Sequence, residues 1–352
     1  MEKIVAGQIK SYDPPTIKAF IEKGFQETGL SITGRVLVKP NLLSGKAPER
    51  AVTTHPVFLS ALIELLKDHS CTVCLGDSPG YESLERVLKA GQYTDMLTHL
   101  GVTIVPFTKD VIKRIDGVSP YHEFLFGEDP GQYDHIINVP KLKTHGMMGM
   151  TLAVKNTFGF VRGFAKGRWH LRAGIDRALF ASILVDIHSI AMPSVNILDG
   201  ILGMSGNGPS NGAPSELGII ALSRNGLALD DLIEQRLCPG AEHPVTECAR
   251  MNGLLTPYEV VDLGMPSVPS FAMPPSCATD WNLPSPLKKA LRAIMVKKPK
   301  GNPKNCRLCG ICVRVCPSHA VSIRNDTLHF DYSACIRCYC CQEMCPHDAI
   351  RV

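Results

Sequence analysis

Nine of the fourteen cysteines fall in the last 47 residues, 306–352, and eight of them repeat one spacing. Cys306-x2-Cys309-x2-Cys312-x3-Cys316-Pro317 is followed by Cys335-x2-Cys338-x2-Cys341-x3-Cys345-Pro346. Three closely spaced thiolates wrap three corners of one 4Fe-4S cubane, while the fourth cysteine of each run lies too far round the turn and serves the other cubane. The spacing therefore predicts two 4Fe-4S clusters. Cys306, Cys309, Cys312 and Cys345 are expected to hold one, and Cys335, Cys338, Cys341 and Cys316 the other. Zinc also favours Cys-x2-Cys pairs, but it does not call for two triplets, each with a distant Cys-Pro. A disulfide framework belongs to short secreted chains. This chain has 352 residues and opens on Met1-Glu2-Lys3-Ile4 without an apolar signal segment, so the expected compartment is the cytoplasm.

Cys340 is a ninth cysteine, one position before a ligand, and is expected to pack near the cluster. Val313, Val315, Val321, Ile323, Ile336 and Ile350 would supply an apolar shell. The duplicated spacing predicts a pseudo-twofold domain, and the segment resembles bacterial ferredoxins along its whole length. The clusters also change the charge balance. The formal net charge is +4, and an oxidised cluster with four thiolates carries about −2, so two of them bring the sum to roughly zero. Net charge is therefore no argument for nucleic acid. No apolar run is long enough for a membrane span.

The first 265 residues alternate short apolar runs with helical spacing. Val36–Val38, Thr72–Leu75, Val102–Phe107, Ile136–Val139, Val195–Leu198 and Leu217–Leu222 read as strands. Pro56–Lys67, Tyr81–Ala90, Tyr93–Leu100, Ala173–Ile190 and Leu227–Leu237 read as helices, with Thr54 as the expected N-cap of the first. The expected fold class is α/β: a mostly parallel sheet with helices on both faces, plus a small C-terminal α+β ferredoxin-like domain. Expected boundaries are a body over 1–265, a Pro-rich and basic linker over 266–302, and a two-cluster domain over 303–352. Within Pro286–Lys304, seven Lys or Arg and no acid accompany Leu287, Leu291, Ile294 and Met295 at helical spacing. That run reads either as the solvated face of a helix or as a docking surface for an acidic redox partner. Cys71 and Cys74 lie three apart on a strand and face opposite sides, so they are not chelators.

Five polar segments follow predicted strands: Val38-Lys39-Pro40-Asn41, Gly76-Asp77-Ser78-Pro79-Gly80, Asn138-Val139-Pro140-Lys141-Leu142-Lys143-Thr144-His145, Lys155-Asn156-Thr157-Phe158-Gly159, and Leu198-Asp199 through the Gly-rich stretch to Pro209. Ligands of open α/β sheets bind at the carboxyl ends of strands, so a pocket is expected there. His145, Lys155 and Asp77 are the candidate catalytic residues. Lys39, Asn41, Lys141, Lys143, Asn156, Asp199 and Gly206 are the candidate substrate contacts. Lys141, Lys143, Lys155, Arg162, Lys166, Arg168 and Arg172 read as a solvated basic loop or as an anion site for a carboxylate or phosphate. The Gly-rich stretch is neither a P-loop nor a dinucleotide fingerprint.

At "VKPN", "NVPKLKTH", "KNTFG" and "LDGILGMSGNGP" the sequence is similar to the bacterial and archaeal family called domain of unknown function 362. The resemblance spans nearly the whole chain and implies an iron–sulfur protein. A fainter similarity links His145, Gly149 and Lys155 to a His/Lys pair of nickel-pincer lactate racemases. The Gly-Gly before that lysine and the Pro-Gly after it are missing here, which argues against a pincer cofactor and for a shared sheet with a pocket in the same place.

The expected function is an iron–sulfur oxidoreductase that passes single electrons to a small anionic substrate or cofactor in the N-terminal cleft, with a soluble electron-donor or acceptor protein as partner. Two alternatives stay open: a non-catalytic electron-transfer subunit, and a non-redox enzyme with structural or sensing clusters.

Overall fold

Strands that are apolar on both faces need helices on both sides. A computed structural model, which describes residues 1–163, 165–268, 270–274 and 297–352, has that arrangement. The chain begins with β1 (Glu2–Gln8), α1 (Pro14–Glu27), β2 (Arg35–Pro40), α2 (Pro56–Asp68), β3 (Thr72–Asp77), α3 (Leu84–Ala90), α4 (Thr94–His99) and β4 (Thr103–Pro106). A hairpin of β5 (Val111–Arg114) and β6 (Glu123–Phe126) precedes β7 (His135–Val139), β8 (Lys141–His145), β9 (Gly149–Thr151) and the one-turn α5 (Ala153–Asn156). Then come α6 (Ala165–Ala173), α7 (Arg177–Ala191), β10 (Val195–Ser205), β11 (Ala213–Ser223), α8 (Gly226–Leu237), α9 (Pro244–Met251) and β12 (Tyr258–Leu263).

The main sheet runs β12-β1-β11-β10-β7-β2-β3-β4, with β8 against β10 and β9 against β8. The pairs β12–β1, β10–β7, β7–β2, β2–β3 and β3–β4 are parallel, and β11 is antiparallel to both neighbours. Period-2 alternation divides the core. Val36, Val38, Val73 and Leu75 pack with α1 and α2 through Ile17, Phe20, Phe58 and Leu62. Leu37, Cys74 and Ile136 pack on the other face with Phe180, Ile183 and Leu184 of α7. Cys71 and Cys74 belong to opposite faces, as their spacing requires.

Four sequence expectations change. The helix expected over Ala173–Ile190 starts later, as α7 at Arg177: Ala173 ends α6, Gly174 takes a left-handed φ of +59°, and Asp176 caps α7 by accepting the Leu179 N–H at 3.0 Å. The N-cap of α2 is His55, whose Nδ1 accepts the Val57 N–H at 3.2 Å. Thr54 instead ties two strand ends together, accepting from the Asn41 N–H and donating to the Val139 carbonyl. Lys141–His145 is a strand rather than a loop. Finally, β10 runs on to Ser205, so Gly200 and Gly203 are strand residues. A Cβ at Gly200 would meet the Ile219 carbonyl at 2.9 Å, which is why that position carries none. The helical run of Leu287, Leu291, Ile294 and Met295, with its neighbouring basic residues up to Arg292, lies outside the described residues.

The cluster-domain segment holds β13 (Lys300–Gly301), α10 (Ile311–Arg314), β14 (Val321–Arg324), β15 (Thr327–Phe330), α11 (Cys340–Glu343) and β16 (Ile350–Arg351). Its backbone repeats every 29 positions, from Cys306 to Cys335. Left-handed φ values recur at Leu308 and Arg337, Gly310 and Tyr339, and His319 and Asp348. The N–H groups of Ala320 and Ala349 donate to the sulfurs of Cys316 and Cys345 at 3.2 and 3.3 Å.

Candidate functional site

A cleft of about 850 Å³ opens where the carboxyl ends of β2 and β3 meet β8, α5, α6 and the cluster-domain segment. Parallel strand ends leave a crevice there by construction. The strand β8 places Lys141, Lys143 and His145 on one face by its period of two. Lys143 and His145 line the cleft. Lys141 lies deeper, its Nζ donating to Asp199 Oδ2 and to the Tyr12 hydroxyl, both at 2.8 Å. Tyr12 donates to Asp199 Oδ1 at 2.8 Å, and Asp199 Oδ2 also accepts the His55 N–H at 2.8 Å. Lys141 and Asp199 therefore satisfy each other away from the cleft. Gly206 is also off its wall and bonds to Thr144 and Ala272.

Lys39 and Asp77 form a buried ion pair, Nζ to Oδ1, at 2.9 Å. Both Asp77 oxygens also accept backbone N–H groups, from Leu42 and Ser78 at 2.8 Å. Asp77 thus borders the cleft as an anchor between strand ends. Asn41, Lys155 and Asn156 line it too. The short α5 is held from both ends. Asp230 accepts the N–H groups of Ala153 and Val154 at 2.7 and 3.0 Å, and Asn156 donates to Asn138 Oδ1 at 2.8 Å. Asn138 in turn donates to the Ala153 carbonyl at 2.9 Å.

The wall is strongly basic. Among the described residues, Lys143, Lys155 and Lys166 form no ion pair. Lys143 donates to Asn41 Oδ1 and the Val52 carbonyl. Burial, helped by Lys155, pushes the Lys143 ammonium down to about 7, and burial takes Lys166 to about 8. Lys155 is likewise lowered by burial, although Glu343 opposes the shift. Buried this way, the ammonium groups shed their protons more readily, and an anion in the cleft favours their charged forms.

His145 Nδ1 accepts the N–H groups of Met147 and Met148 at 3.0 and 3.2 Å, which leaves the ring proton on Nε2. Nε2 faces Glu343 Oε1 of α11 at 2.6 Å. Burial and Lys155 hold the imidazole down at about 4 despite Glu343. Burial raises the Glu343 carboxyl, but His145 and Lys155 outweigh it and keep it at about 2. The pair is an imidazole in close charge contact with a carboxylate.

The sequence reading missed Glu343 and His170. His170 is 4% exposed, stacks on Phe180 with ring centroids 4.3 Å apart, and lines the cleft. Its Nδ1 has no hydrogen-bond partner among the described residues. Two signals were present: Lys166 and His170 are four apart on one helix face, and Glu343 is the one acid between Cys335 and Cys345.

Val315, Cys340, Glu343 and Met344 close the cleft from the cluster-domain side. Val315 thus faces the cleft rather than a cluster. Cys340 also lines it, next to Cys341 in the chain. Further bonds hold the two parts together. Asn211 donates to the Gln342 carbonyl, and Gln342 to the Asn207 carbonyl, both at 3.0 Å. Arg50 pairs with Asp348 at 3.3 Å, Lys46 donates to the Pro346 carbonyl, and Tyr339 enters the body's core.

The cysteines fit tetra-iron groups. Cys306, Cys309, Cys312 and Cys345 ring a small pocket whose other walls include Ile311, Ile323, Leu328 and Ile350. Cys316 and Cys341 share a buried cluster against which Cys335 and Cys312 pack, and burial, Cys338, Cys335, Cys316 and Cys312 all raise the Cys341 thiol. Among the described residues no three His, Cys, Asp or Glu converge as they would on a single ion. The thiols surround a volume, as a cubane needs and zinc does not.

These features define an α/β body joined to an iron–sulfur, ferredoxin-like electron-transfer segment. The chain belongs to the family described as Domain of unknown function (DUF362), which matches residues 36–233. Residues 290–349 match the 4Fe-4S dicluster domain. A thylakoid-associated protein, sll1697, of Synechocystis sp. is 37% identical over 199 residues, 56% of this chain and 61% of the relative. The chain thus spans less than two thirds of that protein. NADH-quinone oxidoreductase subunit I of Pelobacter propionicus is 40% identical over 60 residues, 13% of this chain and 32% of the relative. Among the described residues no helix is long and apolar enough to cross a membrane.

Proposed function

We propose that the protein is a cytoplasmic iron–sulfur oxidoreductase whose two 4Fe-4S clusters, in a domain over 303–352 joined by the 266–302 linker to the body over 1–265, pass single electrons to a small anion in the cleft. Bound there, the clusters would supply one-electron chemistry. Lys143, Lys155 and Lys166 bind the anion, and their ammonium groups give up protons as electrons arrive. Lys155 is the foremost donor, because its Nζ makes no hydrogen bond among the described residues and rests 5.8 Å from the Phe158 ring. His145 holds Glu343 and so fixes the cluster domain over the cleft. Asp77 and Lys39 fix the loops that carry Asn41 and Ser78.

One observation carries this reading. The basic wall of the body faces Val315 and Cys340, which flank Cys316 and Cys341 in the chain, so a bound anion lies beside cluster cysteines. The test is anaerobic. Dithionite-reduced protein freed of excess reductant is mixed with small carboxylates and oxyanions, and cluster absorbance is followed. A substrate restores the oxidised spectrum in wild type, and Lys155→Met slows that step about a hundredfold with iron content unchanged. If no small anion reoxidises the clusters while a protein acceptor does, the chain is an electron-transfer subunit instead.

A further inference from the structure

The two thiol sets differ in exposure. In the set Cys306, Cys309, Cys312 and Cys345, Cys309 is exposed and only Cys345 is buried. In the other set, Cys335 is half-buried but Cys316, Cys338 and Cys341 are buried, and Tyr339 beside them packs into the body. The first set is therefore the more exposed, and the second lies toward the body, where its chain neighbours Val315 and Cys340 line the cleft.

Cations surround the outward set. Arg307 lines its cavity and is exposed. Lys304 sits on the turn that precedes Cys306, where the Cys306 N–H donates to the Asn302 carbonyl. Lys300 and Arg351 are direct partners in the β13–β16 pair, beside Ile350 of the cavity wall. All four side chains are exposed, and none is in an ion pair among the described residues. The nearby acid Asp348 is already committed to Arg50 at 3.3 Å. An oxidised cluster with its thiolates brings about −2 to this corner, which four cations exceed.

We propose that this corner is the electron entry port and that it docks an acidic one-electron carrier protein, of the ferredoxin or flavodoxin kind. The inference rests on the proposed cluster assignment. Opposite charge steers the carrier to the exposed edge at Cys309 and sets the encounter rate. One electron leaves the reduced carrier and arrives on the group held by Cys306, Cys309, Cys312 and Cys345. No proton and no bond moves in that step. The electron then passes to the inward set beside the cleft. The described acids of residues 297–352 other than Asp348 are Asp326, Asp331 and Glu343. Glu343 is buried against His145, and Asp326 and Asp331 flank β15, so the four cations outnumber the acids left to the outward corner.

The probe is a purified plant-type 2Fe-2S ferredoxin, an acidic one-electron carrier, used with the full iron-loaded chain. Binding of the oxidised carrier, where no electron moves, is expected to weaken about tenfold between about 20 and about 300 mM salt. The double variant Lys300→Glu/Lys304→Glu is expected to bind about tenfold more weakly, and reduction by the reduced carrier to slow by a similar factor. Reduction by methyl viologen radical, a small cation that needs no docking site, should not slow. Arg351→Glu serves as an independent second variant, and both are compared at equal iron content. Carrier affinity that ignores salt, or variants that bind and accept electrons as wild type does, overturn the proposal. If the carrier docks here but no small anion reoxidises the protein, the cleft reading falls and the port stands. If a small anion reoxidises dithionite-reduced protein while the variants dock normally, the port falls and the cleft stands.

Discussion

Lys143 is fully enclosed, with Asn41 and a backbone carbonyl as its hydrogen-bond partners, and its ammonium titrates near neutrality. The sign of the pH dependence follows. An unfolded lysine stays protonated to about 10.4, whereas folded Lys143 releases its proton at about 7 and Lys166 at about 8. The unfolded state therefore binds more protons between these values, and the anion-free protein gains stability as pH rises through that window. An anion in the cleft favours the ammonium forms, so its binding takes up protons and weakens over the same range. Sulfate keeps one charge state there and is a clean probe. Its dissociation constant by calorimetry should rise about tenfold from about pH 6.5 to about pH 9. A flat profile removes the lysines from the anion site. The sequence named Lys143, Lys155 and His145 because they follow strands, and the cleft holds all three. It also named Lys141 and Asp199 by the same logic. Adjacency along a strand does not reveal depth, and the partner that withdraws them, Tyr12, is nearly 190 positions from Asp199.

Among elements, the short α5 bears the most on the site. Four residues are too few to hold a helix by propensity, so its position depends on the Asp230 carboxylate beneath its first N–H groups and on the Asn138–Asn156 amide contact. Asp230→Ala leaves two buried N–H groups unpaired and is expected to cost about 2 kcal/mol. It should also loosen sulfate binding about tenfold, because Lys155 loses its footing. Denaturant melts and sulfate titration on the same sample separate the two effects. A variant that is destabilised yet binds sulfate normally would show that Lys155 is positioned by something else. The apolar strands were legible because their burial demands Val, Leu and Ile runs. The strand β8 was not, since Lys-Leu-Lys-Thr-His alternates like a strand but is polar like a loop. Its lysines are buried only because distant segments supply acceptors. The start of α7 reads four residues early in the sequence, because the turn at Gly174 and the Asp176 cap carry no apolar signal of their own.

For the whole molecule, the eight-cysteine spacing announced the cluster segment, but nothing in it announced that the segment would roof the cleft. That arrangement depends on pairs nearly 200 positions apart, such as His145 with Glu343, which no local pattern encodes. It has a consequence for metal removal. Among the described residues the buried apolar cluster of the C-terminal segment comprises Cys316, Ala320, Val321, Cys341 and Ile350, with Val313, Leu328 and Phe330 partly buried against it, too little to fold about fifty residues alone. The body's cores lie elsewhere, around α1, α2, α7 and α8. Ferricyanide oxidation followed by chelation should therefore unfold the roof and leave the body folded. Trypsin should then cut at Arg307, Arg314, Arg324 and Arg337 while a large N-terminal fragment persists. Hydrogen exchange should rise at Met147 and Met148, whose amides depend on a His145 ring that Glu343 steadies. If the iron-free chain resists trypsin at those four arginines as well as the loaded protein does, the clusters do not hold the roof in place. The close contact between basic wall and cluster cysteines would then need another source of order.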